Sequence, residues 1–235
     1  QTVMNDHPCN PLNWMHDDRM ASHPDEYWDL RRELTPSPNP PVIADGDQRL
    51  ALLIDLADSQ VASAYRRLRT RLSEFACLAS TPADELHLTV KLFDHAPTAG
   101  TGEGSSSVSA AQITDAVTEV VDDRDPFEVR FPQLNIFPDT VYAEVDDGGT
   151  LTELNQAVCQ QPWATATDRD GQQFIPHLTL GYFDGAKEYE QLITFLEDNR
   201  DPEFPTATVD ELAVVAYDLT SNWGSATTTL RTFSL

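Results

Sequence analysis

Lysine is nearly absent from this 235-residue chain, and acidic residues far outnumber basic ones. Only Lys91 and Lys187 are lysines, and 39 acids against 15 lysines and arginines give a net charge of −24. The acidic groups of such a surface repel one another at low salt, and salt at high concentration screens this repulsion. We therefore expect adaptation to a salt-rich cytoplasm, with a generic acidic protein as the alternative. Because the charge disfavours many phosphate contacts, no extended nucleic-acid groove is expected, and a small or terminal substrate is favoured.

Cysteine and long apolar runs are also scarce. The three cysteines, Cys9, Cys77 and Cys159, lie far apart and form no CxxC pair, which argues against a disulfide framework and for a reducing, cytoplasmic location. The longest apolar stretch, LALLIDL, has the length of a strand and is too short to cross a bilayer. We therefore expect no membrane association, and nothing in the sequence requires more than a monomer.

Residues 1–46 show little sustained periodicity and end in a proline-rich stretch, TPSPNPP. This predicts an N-terminal extension and spacer, with one short helix near Tyr27–Leu34, ahead of a domain over residues 47–235. From Gln48 onward, alternating strand patterns interleave with helical patterns, and several strands follow one another directly. The order predicts an α+β fold with mainly antiparallel sheets, in two similar lobes with a cleft between them.

A repeated tetrapeptide stands out in this pattern. HLTV occupies residues 87–90 and HLTL residues 177–180, although the chain has only six histidines. Alternate residues of a strand share a face, so strict alternation separates two sets of side chains in each copy. It places on the core side Leu86, Leu88, Val90 and Leu92 in the first copy and Leu178 and Leu180 in the second. It places on the opposite side His87, Thr89, Lys91 and Phe93 in the first copy and His177, Thr179 and Phe183 in the second.

Two histidines and two threonines facing one another suit the chemistry of a cyclic phosphodiester. Imidazole titrates near neutral pH, so one ring can deprotonate an attacking water while the other protonates the departing ribose oxygen. The hydroxyls of Thr89 and Thr179 can bind the non-bridging phosphate oxygens. No metal or cofactor is expected. The alternative for each histidine is a half-buried structural residue of its strand.

The segments HLTVKLF and FIPHLTLGYF resemble the paired HxTx motifs of the 2H phosphoesterase superfamily, in its 2′-5′ RNA ligase-like, RNA 2′,3′-cyclic phosphodiesterase branch. The stretch LNIFPDTVYAEV and the two closing strands are similar to that branch as well, so the resemblance covers residues 48–235. It implies a bilobal fold with pseudo-twofold symmetry, hydrolysis of 2′,3′-cyclic phosphates to 2′-phosphates on RNA ends or nucleotides, and the reverse 2′-5′ ligation of RNA. It also implies catalytic roles for His87 and His177 and phosphate binding by Thr89 and Thr179, and we assign the base to His177 and the acid to His87.

The residues after each motif differ from this pattern. Relatives carry a basic residue after the second motif, as in HLTLAR, where this chain has Gly181 and Tyr182. Lys91 is then the nearest cation and a candidate phosphate ligand, with a solvated lysine as the alternative. Gly181 would let a ligand approach closely. Phe93 and Phe183 are candidates for stacking on a nucleobase, with closure of the core as the alternative.

Weaker signals favour structural roles. GTGEG at 100–104 lacks the spacing of a phosphate-binding loop and is interpreted as a linker, and DRDG at 168–171 as a turn. A zinc site from His7, Cys9, His16 and His23 fits no familiar spacing, and His95 is taken as a loop residue. The alternative functions are an esterase acting on a non-RNA cyclic phosphate, such as one derived from ADP-ribose, and a nucleotide-binding module without turnover.

Overall fold

The computed structural model describes residues 23–38, 48–96, 109–122, 124–162, 164, 169–218 and 227–235. Within them lie five α-helices: α1 (Pro24–Leu30), α2 (Gln60–Leu72), α3 (Ala110–Val121), α4 (Thr150–Cys159) and α5 (Tyr189–Asp198). Two helices begin after serines, whose hydroxyls provide acceptors for the amides of the first turn. Ser59 accepts a hydrogen bond from the Ala62 amide, and Ser109 forms a capping box with Gln112.

Seven strands form the continuous path of the main sheet, in the order β10-β9-β1-β3-β7-β6-β5, and β2 pairs with β7 beside it. Every strand pair is antiparallel, so the predicted α+β fold with antiparallel sheets is confirmed. A separate two-stranded sheet joins β4 and β8. The strand bounds are β1 (Gln48–Asp55), β2 (Leu78–Ser80), β3 (His87–Ala96), β4 (Phe127–Val129), β5 (Leu134–Ile136), β6 (Thr140–Glu144), β7 (His177–Phe183), β8 (Ala207–Val209), β9 (Glu211–Asp218) and β10 (Thr227–Ser234).

The halves of the sheet repeat one strand–helix–strand plan. In the first half β1 leads through α2 to β3, and in the second half β6 leads through α4 to β7. The two halves meet where β3 pairs with β7, so the HLT strands are direct neighbours in one sheet.

The main core lies between the sheet and the helices. It combines the buried faces of α2 to α5 with one face of the sheet, including Leu52, Leu88 and Leu178. A buried tyrosine connects α2 to the second half of the sheet, because the Tyr65 hydroxyl donates a hydrogen bond to the Leu180 carbonyl over 2.6 Å. The opposite face of the sheet carries a smaller apolar cluster, built from strand residues of β1 and β9 together with Leu92. We call this second face the open face and define it by Ala51, Leu53, Leu92, Ala213, Val215 and Tyr217.

The N-terminal helix lies against the second half of the sheet. The helix ends at Leu30, earlier than the sequence indicates, and Tyr27 is buried against Phe137 with ring centroids 5.0 Å apart. The Asn135 amide donates to the Pro24 carbonyl over 2.8 Å, and the Arg200 guanidinium lies 3.4 Å from the Trp28 ring centroid. This part of the extension is therefore packed onto the domain.

Two sequence predictions concern membrane-spanning helices and disulfides. In the part of the chain that the structure describes, no helix is long and apolar enough to span a membrane. Cys77 is buried and Cys159 is partly buried, and neither forms a disulfide. Residues 97–108, which include the predicted GTGEG linker, lie outside the described residues.

Candidate active site

The two His–Thr pairs lie on neighbouring strands at the centre of the sheet. Leu88 of β3 is in register with Leu178 of β7 in an antiparallel pair. The same register, extended by one residue each way, sets His87 beside Thr179 and Thr89 beside His177. Residues opposite each other on antiparallel strands have Cβ atoms about 4.5–5.5 Å apart. The four predicted site residues therefore converge on one patch.

Their side chains belong to the open face. On the other side of β3, Leu53 is in register with Thr89 and Asp55 with His87. Leu53 is part of the open face, and Leu88, between the two site residues, is in the main core. The histidine and threonine side chains of β3 thus point away from helices α2 to α5.

Both imidazole rings are held in the same way. The Nδ1 of His87 lies 2.8 Å from the Glu85 carbonyl oxygen, and the Nδ1 of His177 lies 2.7 Å from the Ile175 carbonyl oxygen. A carbonyl oxygen only accepts, so each Nδ1 carries a hydrogen and donates it. In a neutral ring the Nε2 then has a free lone pair, and in a protonated ring it has a transferable proton. Each ring is therefore oriented for proton transfer through Nε2.

The charges around the two rings differ. Burial lowers the pKa of His177 to about 4, where Arg169 adds to the decrease and Asp139 opposes it. Burial also lowers the pKa of His87, but here the neighbouring charge is the Asp55 carboxylate, which raises it. A cation beside His177 favours its neutral form, and an anion beside His87 favours its protonated form.

Aromatic rings and an arginine surround His177. The ring centroids of Phe137 and Tyr142 lie 5.1 and 5.5 Å from that of His177. The Arg169 guanidinium lies 4.8 Å from the Phe137 centroid and donates to Asp139 over 2.9 Å. Sequence reasoning missed Arg169, because it read DRDG only as a turn and strand alternation says nothing about residues before β7.

A chain of polar contacts leads away from Thr179. Its hydroxyl is hydrogen-bonded to the Tyr182 hydroxyl, and burial raises the Tyr182 pKa to about 12. Tyr182 is therefore protonated at neutral pH and can donate to Thr179, which leaves the Thr179 hydrogen for another acceptor. Tyr217 of β9 adds to the rise of the Tyr182 pKa.

A β-bulge follows the threonine of each motif. In β3, Leu53 pairs with Thr89 but Leu52 pairs with Lys91, so Val90 is the extra residue. In β7, Tyr142 pairs with Thr179 but Val141 pairs with Gly181, so the extra residue is Leu180. An extra residue shifts every later side chain to the other face. Strict alternation therefore fails beyond Val90 in β3 and beyond Leu180 in β7.

The expectation that Lys91 shares the face of His87 is wrong for this reason. The Lys91 side chain is 0% exposed, and its Nζ lies 2.6 Å from a carboxylate oxygen of Asp170. Asn155 of α4 donates both to the other oxygen of Asp170 and to the Val90 carbonyl, on the helix side of the sheet. Lys91 is therefore buried in an ion pair and does not face the predicted phosphate.

The aromatic and glycine expectations are corrected in the same way. Phe93 and Phe183 are 4% and 2% exposed in the main core, so they close the core and are not placed to stack on a base. At Gly181 an added Cβ would lie 2.9 Å from the Ala79 carbonyl oxygen. The glycine therefore makes room for β2 and not for a ligand. Leu92, expected in the core, lies on the open face.

The described residues contain no group of three or more His, Cys, Asp or Glu side chains that could hold a metal ion. His7, Cys9 and His16 of the suggested zinc site lie outside them.

Comparisons with known proteins agree with the fold and show the family. The model of the family described as the 2′-5′ RNA ligase superfamily matches residues 56–220 of this chain. A protein of Methanothermobacter thermautotrophicus named RNA 2′,3′-cyclic phosphodiesterase is 23% identical over 177 residues, which are 73% of this chain and 91% of the relative.

Solved structures show the same fold. LigT of E. coli, crystallised with 3′-AMP, superposes with a TM-score of 0.55 at 17% identity and covers 80% of this chain and 98% of its own. TT0787 of Thermus thermophilus gives a TM-score of 0.56 at 20% identity, over 80% of this chain and 97% of its own. E. coli LigT was also crystallised with ATP and with NADP+.

Proposed function

Because the chain belongs to the 2′-5′ RNA ligase superfamily, we propose that it hydrolyses 2′,3′-cyclic phosphates on RNA ends or nucleotides to 2′-phosphates. One observation carries the proposal: two imidazoles with Nδ1 tied to carbonyls stand diagonally across the β3–β7 pair, each beside a threonine. The name of the methanobacterial relative and the nucleotides bound by E. coli LigT support this class of substrate.

In this scheme a water attacks the phosphorus while the bond from phosphorus to the 3′ oxygen breaks. The Nε2 of neutral His177 takes a proton from the water, and the Nε2 of protonated His87 gives one to the 3′ oxygen. The product carries a 2′-phosphate and a 3′-hydroxyl. The charges beside the rings support this assignment, since Arg169 favours neutral His177 and Asp55 favours protonated His87.

Thr89 and Thr179 bind the non-bridging oxygens in this scheme. The hydrogen bond between the Tyr182 and Thr179 hydroxyls orients Thr179. Arg169, on the Phe137 side of His177, supplies a positive charge near the phosphate that the second motif lacks. A hydrogen bond to a charged phosphate contributes about 1.5–3 kcal/mol.

The direct test is incubation of the protein with nucleoside 2′,3′-cyclic phosphates in concentrated KCl with EDTA, followed by chromatography of the products. We expect the 2′-phosphate isomer to accumulate and the double variant His87→Ala/His177→Ala to be inactive. Nucleotide binding without turnover would favour a binding module instead, and turnover only of a cyclic phosphate derived from ADP-ribose would favour a non-RNA esterase. When an RNA 5′-hydroxyl replaces water as the nucleophile, the same attack gives a 2′-5′ linkage, so RNA halves are a second substrate to assay.

A further inference from the structure

An arginine and a tyrosine stand on the open face at a distance from the histidines. Arg49 precedes Ala51 by two residues on β1, where pairing with β9 is regular, so it shares the face of Ala51. Its register partner is Tyr217, which is 8% exposed. Burial raises the pKa of Tyr217, and the Arg49 guanidinium beside it opposes that rise.

The Arg49 side chain has unused donor capacity. Its Nε is buried and, within the described part of the chain, has no hydrogen-bond acceptor. A buried donor without an acceptor costs about 1–3 kcal/mol, which a ligand oxygen would offset. An arginine fork also matches phosphate oxygens better than other side chains do.

The position of Arg49 fits a second phosphate. Leu53, in register with Thr89, lies four residues further along β1, or about 13 Å at the usual strand rise. This length exceeds one nucleotide. Tyr217, the register partner of Arg49, stands beside it at the far end.

We infer that Arg49 and Tyr217 form a second anion subsite, which binds a phosphate upstream of the reacting cyclic phosphate. The inference rests on the proposed function and narrows it, because an RNA end of three or more nucleotides then becomes a better substrate than a mononucleotide or a dinucleotide. Because the chain has a net charge of −24, it repels a polyanion overall. An arginine at this position provides a place where a polyanion can bind.

The test compares adenosine 2′,3′-cyclic phosphate, its 5′-phosphorylated form, and the di- and trinucleotides with the same cyclic end. The proteins are the wild type, Arg49→Gln, Arg49→Lys and the control Arg66→Gln, whose arginine is exposed on α2. We expect Arg49→Gln to lower kcat/KM about ten-fold for the trinucleotide and to leave the mononucleotide and the dinucleotide unchanged. Arg49→Lys should lose less on the trinucleotide, and the salt dependence should weaken by about one unit of slope in Arg49→Gln. A loss for both the 5′-phosphorylated mononucleotide and the dinucleotide would overturn this position and assign the subsite to the terminal nucleotide's own 5′-phosphate.

Equal losses on all substrates, or no loss on the trinucleotide, would overturn the subsite. If the wild type turned over none of them, the proposed function would fail by itself. Binding of a fluorescent trinucleotide with a 2′-phosphate end then decides the subsite separately: weaker binding by Arg49→Gln than by Arg66→Gln supports it, and equal binding contradicts it.

Discussion

Leu88 and Leu178 face each other across the junction of the two sheet halves, in one antiparallel pair. Both are buried in the main core, and each lies between the histidine and the threonine of its motif. This pair sets the relative position of the two motifs, because its register decides which histidine meets which threonine. The catalytic geometry proposed above therefore depends on two leucines that touch no substrate.

The acid and base roles can be separated by kinetics. On a 2′,3′-cyclic nucleotide, His87→Ala and His177→Ala should each lower kcat by about 10²–10⁴-fold, because each removes one proton transfer. On a nucleoside phosphodiester with a 4-nitrophenolate leaving group, which departs without a proton, His87→Ala should recover much of its rate and His177→Ala should not. Recovery by His177→Ala instead would reverse the assignment. His23→Ala, at an exposed histidine, is the matched control.

Stability should fall between pH 7 and pH 5, in part through His177. Its pKa is lowered to about 4 in the folded protein, so below the ordinary value of 6.5 the unfolded chain binds more protons than the folded one. Urea unfolding should show that the wild type loses roughly 1–3 kcal/mol more over this range than His177→Asn, which cannot titrate there. Parallel curves for the two proteins would show that the folded His177 titrates normally.

Lys91→Met should lower the free energy of unfolding by about 3–5 kcal/mol, because it leaves the Asp170 carboxylate without its buried cation. The double variant Lys91→Met/Asp170→Asn should lose clearly less than the sum of the two single variants. Urea unfolding followed by tryptophan fluorescence measures all three. A Lys91→Met protein of normal stability with a raised KM would instead make Lys91 a phosphate ligand.

Gly181→Ala should destabilise the protein by about 1–3 kcal/mol, because the new methyl group would press on the backbone of β2. Gly185→Ala is the control, since a Cβ there meets nothing within 4 Å. In thermal unfolding, the melting temperature of Gly181→Ala should lie several degrees below that of Gly185→Ala. Equal melting temperatures would mean that β2 moves aside easily.

Salt should stabilise the fold. Because the screening length falls from about 10 Å at 0.1 M to about 3 Å at 1 M, repulsion among 39 acidic residues should weaken as KCl is added. We expect the melting temperature to rise through the molar range of KCl, and sucrose at equal osmolality to raise it less. A fold as stable at 0.1 M as at 2 M KCl would remove the basis for a salt-adapted protein.

The sequence was sufficient to predict the strands that carry the motifs and the α+β class, because both follow from periodicity. It was insufficient beyond Val90 and Leu180, because these are ordinary strand residues and nothing in their identity indicates that each forms a bulge. Lys91, Phe93, Gly181 and Phe183 were therefore assigned to the wrong face.

Arg169 was missed for a different reason. Its position depends on Asp170, which Lys91 holds from a strand 79 residues earlier in the chain. Asn155 of α4 provides a second contact, because its side-chain oxygen accepts a hydrogen bond from the Gly171 amide over 2.8 Å. Contacts between such distant segments leave no local pattern in a sequence, so only the folded chain brings this cation to His177.

The paired bulges also bear on how such a site can diverge during evolution. Directly after each motif, the first position, Lys91 or Gly181, is constrained by the interior, and the next, Leu92 or Tyr182, faces the ligand side. Mutation at the second position can alter what the site accepts while the interior stays intact. Substrate preference and stability are therefore determined by adjacent but different positions. Single substitutions at the second position can change the substrate without destabilising the fold.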